Sequence, residues 1–201
     1  IEETRRSSRS EDIRLDSEHR TVLFTRPVAI TLDGVAKGFA GDEALKVLKR
    51  HGVSRAFIDL SGDVVLGAPP PGEDAWSVSL DFGDPGVPTM RLQLANCAVA
   101  TSGDTEQFFE IEGVRYSHII DPRTGMACTN RTAACVIAPS GSLADALATA
   151  ACVLGTTDAS SVLAQFKEVS ARVRTLGPDA EDGSEDVFVG DFLEATEPDS
   201  P

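Results

Sequence analysis

Two short stretches hold the residue types from which a catalytic site can be built. Residues 116–127 read YSHIIDPRTGMA, and residues 144–155 read ADALATAACVLG. In the second, Asp145 and Thr149 stand four positions apart, so on a helix their oxygens project from one face and can reach a single small, hard cation. Magnesium leaves some of its ligand positions to water and phosphate oxygens, so the pair points to metal-assisted handling of a phosphate-bearing ligand. The surrounding segment is apolar and rich in alanine, and a carboxylate buried there without a partner would cost several kcal/mol. A cation is one such partner. The other reading is structural, with Asp145 complementing the helix dipole and Thr149 bonding back to a carbonyl. The residues alone fit either.

In the first stretch His118 precedes two isoleucines and the turn Asp121-Pro122-Arg123-Thr124-Gly125. An imidazole beside a carboxylate and a polar turn can bind a ligand or accept a proton from an attacking hydroxyl, although a single histidine is more often structural. Residues 34–40, GVAKGFA, set small residues around Lys37 at a helix start, where unpaired amides and the helix dipole suit a phosphate. The spacing is not that of a phosphate loop, and close packing through the glycines accounts for it equally well. Thr101-Ser102-Gly103-Asp104 adds hydroxyls after a strand, at a ligand edge or in a simple turn.

These residues need elements to position them. The pattern predicts short strands over 21–24 and 28–32, then a helix over 34–51 capped by Asp33, with Val35, Phe39, Leu45 and Leu48 inward. Strands over 56–60 and 64–66 flank Ser61-Gly62-Asp63, a hairpin-turn composition. Further strands follow over 76–80, 90–94 and 98–100. The second half repeats the scheme with strands over 116–120 and 134–138, a helix from Ser142 as cap to Gly155, a shorter helix over 158–167, and strands over 171–176 and 187–192. Strand groups alternating with long helices predict an α+β domain, an antiparallel sheet with the helices packed on one face. No sequence repeat is strong enough to indicate duplication. Residues 1–17 read as a flexible polar lead-in, 18–176 as the folded domain, and 177–201 as an acidic segment with a closing strand.

Length and an apolar fraction of 41% suit one well-buried core. The net charge is −14, yet nine of the 32 acidic residues lie in 177–201, where no basic residue occurs. A solvated terminal segment explains that run. Nucleic-acid binding is disfavoured, since only Arg5, Arg6 and Arg9 cluster. Cys97, Cys128, Cys135 and Cys152 lack zinc-ligand spacing and read as buried free thiols, with a Cys128–Cys135 bridge the conceivable exception. No apolar run is expected to reach the roughly 20 residues of a membrane span. The opening IEETRRSSRS has no targeting pattern.

Taken in order, GVAKGFA, DLSGD, ATSGD, YSHIIDPRTG and ADALATAACVLG resemble the FAD:protein FMN transferase family, flavin transferases once described as thiamine-biosynthesis lipoproteins, over about residues 28–173. The resemblance implies an α+β, T-fold-like domain that uses Mg2+ and takes FAD as substrate. It implies that FMN is attached through a phosphoester to a threonine of an acceptor protein, with AMP released. It also implies that Asp145 and Thr149 are metal ligands, completed by main chain at Gly34 and Ala148. Lys37 and Ile120 match FAD-contacting positions, and His118 lies beside the flavin phosphate. Thr31, Asp33, Ser102 and Asp121 complete the expected cofactor-binding set.

Two departures stand out. Where the family has Asp-Leu-Gly-Gly, this chain has Thr31-Leu32-Asp33-Gly34, so a hydroxyl replaces one carboxylate and another appears two residues on. Family members also carry a further stretch ahead of this region that walls the flavin pocket, so either a preceding segment was removed or lies in another chain, or this is a shortened paralogue with an open cleft. Some relatives hydrolyse FAD to FMN and AMP, which makes a magnesium-dependent pyrophosphatase the alternative, with a non-catalytic flavin-binding module as a third reading. A periplasmic or cell-envelope location is implied by the resemblance alone.

Overall fold

The computed structural model describes residues 10–82, 89–103, 107–175 and 184–192. Its first half contains β1 (Ile13–Asp16), β2 (Thr21–Phe24), α1 (Ala36–Arg50), β3 (Phe57–Leu60), β4 (Asp63–Leu66), β5 (Trp76–Leu80), β6 (Met90–Leu94) and β7 (Ala98–Ser102). The second half adds β8 (Phe108–Ile111), β9 (Val114–Ser117), β10 (Ile120–Asp121), β11 (Met126–Ala127), β12 (Thr132–Ala138), α2 (Gly141–Leu163), β13 (Ser170–Thr175) and β14 (Glu185–Val189). Six strands form one antiparallel sheet in the order β14-β13-β12-β7-β4-β3. The remaining strands pair as separate hairpins, β1-β2, β5-β6, β8-β9 and β10-β11.

Strand β12 is buried at every position, so it must be covered on both faces. Ala134, Val136 and Ala138 join Ala98, Ala100, Ala171 and Val173 in a core beneath the two helices. Their neighbours Ala133, Cys135 and Ile137 point the other way, into a second core with Val78, Leu80, Leu92, Leu94 and Phe192. The α+β class with long helices on one face is therefore as the sequence predicts. The opposite layer, built from the β5-β6 hairpin, was not foreseen.

Several local expectations are corrected. Residues 28–32 form no strand, and Asp33 does not cap α1: Val35 occupies that place without a side-chain bond, while the Asp33 amide donates to Thr31 Oγ1 at 3.3 Å. Phe39 is exposed rather than inward. The strand expected over 116–120 is broken at His118 and Ile119, and residues 10–16 of the lead-in form a 3-10 turn and β1. Residues 1–9, Asp104 and 193–201 lie outside the described residues. All four cysteines are free, and burial pushes the Cys97 thiol up to about 11.

Helix α2 is capped by Ser140, whose side chain accepts from the Leu143 amide at 3.4 Å, and not by Ser142. Gly155, at φ 73° and ψ 176°, kinks it into the two segments that the sequence separates. A left-handed φ of this kind is open to glycine at little cost. By length and composition α2 could cross a membrane. In this fold it is the core helix, with Ala144, Ala148, Ala151 and Cys152 packed against the sheet.

The two helices are locked by an exchange of carboxylates at their N-termini. The Gly38 amide in the first turn of α1 donates to Asp145 Oδ2 on α2 at 3.0 Å. In return the amides of Gly141 and Ser142 donate to Asp42 Oδ1 and Oδ2 on α1, at 2.7 and 2.9 Å, and Ser142 Oγ donates to Oδ2 at 2.7 Å. Each carboxylate thereby takes the role of an N-cap from the neighbouring helix. The exchange requires backbone-to-backbone approach: a Cβ on Gly38 would lie 2.0 Å from the Gly141 carbonyl oxygen, and one on Gly141 would lie 2.4 Å from that of Gly38. Glycine to alanine on an open helix face stabilises slightly. Here the sign reverses, and Gly38→Ala is expected to cost about 3 kcal/mol, at the upper end for overpacking, read as a lowered thermal unfolding midpoint.

Candidate active site

Four of the five motifs meet around the start of α1. The N-terminal turn of α1 lies along the Asp145–Thr149 turn of α2, as the Gly38–Asp145 bond at 3.0 Å requires. One turn earlier, a Cβ built on Gly34 would stand 3.5 Å from Thr149 Oγ1, so this glycine leaves the hydroxyl's approach uncrowded. Asp145 is 5% exposed, and Thr149 is half-buried.

Beneath α1, Ser61 and Gly62 turn β3 into β4 with φ of 57° and 97°, the two positive values of a type I′ hairpin. The turn delivers Asp63, 2% exposed, to the face of the sheet that the helices cover. Asp63 Oδ2 lies 3.0 Å from Lys37 Nζ, and its Oδ1 accepts from the Thr101 amide at 3.3 Å. The DLSGD and ATSGD stretches are thus joined through one carboxylate. Burial raises the Asp63 carboxyl above its usual range, with Asp145 adding to the rise and Lys37 opposing it. Ser102 follows on β7, paired with Ala134 of β12.

Sequence reasoning passed over Asp63 and Asp42. The signal for Asp63 was a carboxylate on an inward strand position directly after a hairpin turn. For Asp42 it was the spacing Gly-x-x-x-Asp, shared by Gly38/Asp42 and Gly141/Asp145.

The anion cradle expected at the start of α1 is largely taken by protein. The amides of Val35 and Ala36 donate to the Leu32 carbonyl, and that of Gly38 to Asp145. The Lys37 ammonium, about half solvent-facing, remains within reach of a phosphate. Thr31 and Asp33 are exposed ahead of the helix, with no partner beyond their own turn among the described residues.

The loop 118–125 is held to the same helix. Arg123 binds Asp121 through Nε at 3.0 and 3.1 Å and through one terminal nitrogen at 2.9 Å, and that nitrogen also donates to the Val153 carbonyl at 3.3 Å. Asn130 Nδ2 donates to the Cys152 carbonyl at 3.0 Å. These carbonyls are accessible because the kink at Gly155 interrupts the helix. Asp121 is therefore committed to the loop, and the Arg123 guanidinium holds its carboxyl below the usual range. Ile119 is buried in the helix-side core, whereas Ile120 is 53% exposed. His118 is exposed, with Nδ1 3.1 Å from the Gln107 carbonyl. A carbonyl only accepts, so Nδ1 carries the hydrogen of this contact, and it is Nε2 that can hold the ring's lone pair.

Among the described residues no three His, Cys, Asp or Glu side chains converge as a metal cage. The oxygen donors that the helix crossing brings close to the start of α1 are the buried Asp145 carboxylate, at the Gly38 amide, and the Thr149 hydroxyl, beside Gly34. An all-oxygen set this sparse suits magnesium, which completes its shell with water and substrate phosphate, and fits zinc or calcium poorly. The residues present are thus compatible with the ion.

A model of the ApbE family matches residues 1–173. A FAD:protein FMN transferase of Treponema pallidum is 34% identical over 170 residues, covering 79% of this chain and 47% of the relative. That of Rhodobacter capsulatus is 36% identical over 152 residues, covering 73% and 28%. Thus the chain spans about half or less of the length of these curated relatives. Among solved structures, the ApbE protein of Thermotoga maritima superposes with a TM-score of 0.83 at 28% identity, covering 98% of this chain and 63% of that one. The flavin transferase ApbE of Vibrio cholerae gives 0.80 at 25% identity, covering 95% and 60%.

The Lys37–Asp63 pair supplies a test with a defined sign. A carboxyl whose folded-state pKa is raised penalises the fold once pH climbs past its unfolded value of about 3.9. Lys37→Met removes the opposing cation, so its destabilisation grows between pH 4 and 7. About 2 kcal/mol is expected at pH 7, less than for a fully buried pair because Lys37 reaches solvent. Denaturant melts of both proteins at the two pH values measure it, and equal losses at pH 4 and 7 would contradict the pairing.

Proposed function

The chain belongs to the ApbE family, and from that premise we propose that it carries the metal- and phosphate-handling part of a reaction that moves FMN from FAD to a threonine of an acceptor protein, releasing AMP. The observation that supports this most directly is the approach of α1's first turn to Asp145 and Thr149, with Lys37 alongside. Asp145 and Thr149, with main-chain oxygens at Gly34 and Ala148, are the residues to hold magnesium. Bound there, the ion supplies charge neutralisation to the pyrophosphate oxygens.

Lys37 offers a cation to the same phosphates. Asp63 steadies it, and its burial keeps the pair from being fully screened. His118 Nε2 takes the proton of the acceptor threonine hydroxyl, as its Nδ1–H contact to Gln107 leaves it able to do. The threonine oxygen then forms its bond to the FMN phosphorus while the bond to AMP breaks, and AMP leaves with the electron pair. Exposure of His118 and Ile120 leaves this edge open to a protein substrate. We further propose a location outside the cytoplasm, in the periplasm or cell envelope, a reading supported by the family resemblance.

Incubating the chain with FAD, magnesium and a threonine-bearing acceptor tests the proposal through three products. AMP together with covalently flavinylated acceptor supports transfer; AMP with free FMN means that water replaces the threonine; neither product rejects catalysis by this chain. His118→Ala is expected to slow transfer by roughly 100-fold or more while FAD binding persists. Asp145→Ala is expected to remove the magnesium dependence of AMP release, and unchanged release would dismiss the metal assignment.

A further inference from the structure

We infer that Asp42 is a positioning residue for the metal site: by holding the first amides of α2 it sets where Asp145 and Thr149 stand relative to Gly34 and Lys37. The inference rests on the magnesium reading of that site. Both helices present the same arrangement at their crossing, a glycine in backbone contact with its counterpart and an aspartate four residues on. Each aspartate reaches the other helix's N-terminus.

The exchange is reciprocal but unequal. Asp42 engages both oxygens with three donors at 2.7 to 2.9 Å. Among the described residues Asp145 accepts one bond, from Gly38 at 3.0 Å, so its carboxylate keeps acceptor capacity for another partner. The residues one turn further on differ as well. Beyond Asp145 stands the hydroxyl of Thr149. Beyond Asp42 stands Lys46, whose ammonium is 2.7 Å from Glu43 and would repel a metal ion. Only the α2 half is therefore equipped for a cation, and the α1 half braces it.

A brace at this point acts on ligand geometry. Magnesium tolerates little departure from octahedral placement, and supporting groups hold ligands to within roughly 0.5 Å. Without Asp42 the amides of Gly141 and Ser142 lose their acceptor, and the start of α2 is free to drift from α1 together with Asp145.

The test needs neither FAD nor catalysis. Manganese(II), which accepts magnesium's oxygen ligands and is visible by electron paramagnetic resonance, is titrated into the full chain and its variants. Asp42→Asn is expected to weaken binding about 10-fold, as outer groups around metal ligands do, and Asp42→Glu to recover part of the loss. Ser142→Ala, which removes a single donor to Asp42, gives a smaller shift in the same direction and serves if the asparagine variant fails to fold. Leu163→Ala, a buried change at the far end of α2, lowers the unfolding midpoint but moves manganese affinity by no more than about twofold. If Asp42→Asn and Ser142→Ala lower stability yet bind manganese as tightly as the parent chain, Asp42 is a cap and nothing more. If the parent chain itself binds no ion, the magnesium reading fails first and takes the inference with it.

Discussion

Everything at the candidate site depends on two helix N-termini satisfying each other. An α-helix begins with amides that have no partner inside it, and burying them unpaired is costly. Here neither helix relies on its own cap residue alone. Asp145 serves α1 and Asp42 serves α2, and the glycines at the crossing let the two backbones come close enough for short bonds. The positive ends of two helix dipoles are brought together by this, and the two carboxylates between them offset the repulsion. A residue that would be a liability in an alanine-rich helix thereby becomes the reason the helix sits where it does.

That arrangement bears on the two readings of Asp145 that the sequence left side by side. The carboxylate does complement a helix terminus, but of the other helix, and it does so with one hydrogen bond, so structural use and ion binding are not exclusive. Lys37 and Asp63 extend the same logic. The lysine neutralises a buried carboxylate and remains partly in solvent, so its charge stays available to a phosphate. Around them the loop of His118 is fastened to α2 through Arg123 and Asn130, at carbonyls released by the kink at Gly155. Asp145, Thr149 and Lys37 stand on or at the start of the two helices, and Asp63 is tied to them through Lys37.

Much of this was legible in the chain. Alternation of apolar residues and turn chemistry located β2 to β7, β12 to β14, the two long helices and the break at Gly155, because those signals are local, but missed β1 and the short strands β8, β10 and β11. The i, i+4 spacing of Asp145 and Thr149 was equally plain. What escaped was set by contacts distant in sequence. Asp33 and Ser142 looked like caps by their type, but the acceptors that serve these helix starts come from about a hundred residues away. Residues 28–32 have strand composition but find no partner strand. Phe39 sits at a helical position that periodicity assigns inward, yet the glycines beside it face the contact instead. Asp63 was read as part of a turn, and only the sheet shows that the turn aims it beneath α1.

The two cores differ in residue size. Toward α2 the sheet presents Ala98, Ala100, Ala134, Ala138 and Ala171 among its valines, whereas the opposite core is filled by larger side chains, Leu80, Leu92 and Phe192 packed against Ile137 of the sheet. Large apolar groups can be exchanged for others of similar volume with modest repacking. An alanine floor has no such freedom, because every added methyl lifts the helix standing on it. The protein can therefore drift in composition beneath its hairpin while its helix side stays dimensionally fixed, an asymmetry of evolvability written into residue size.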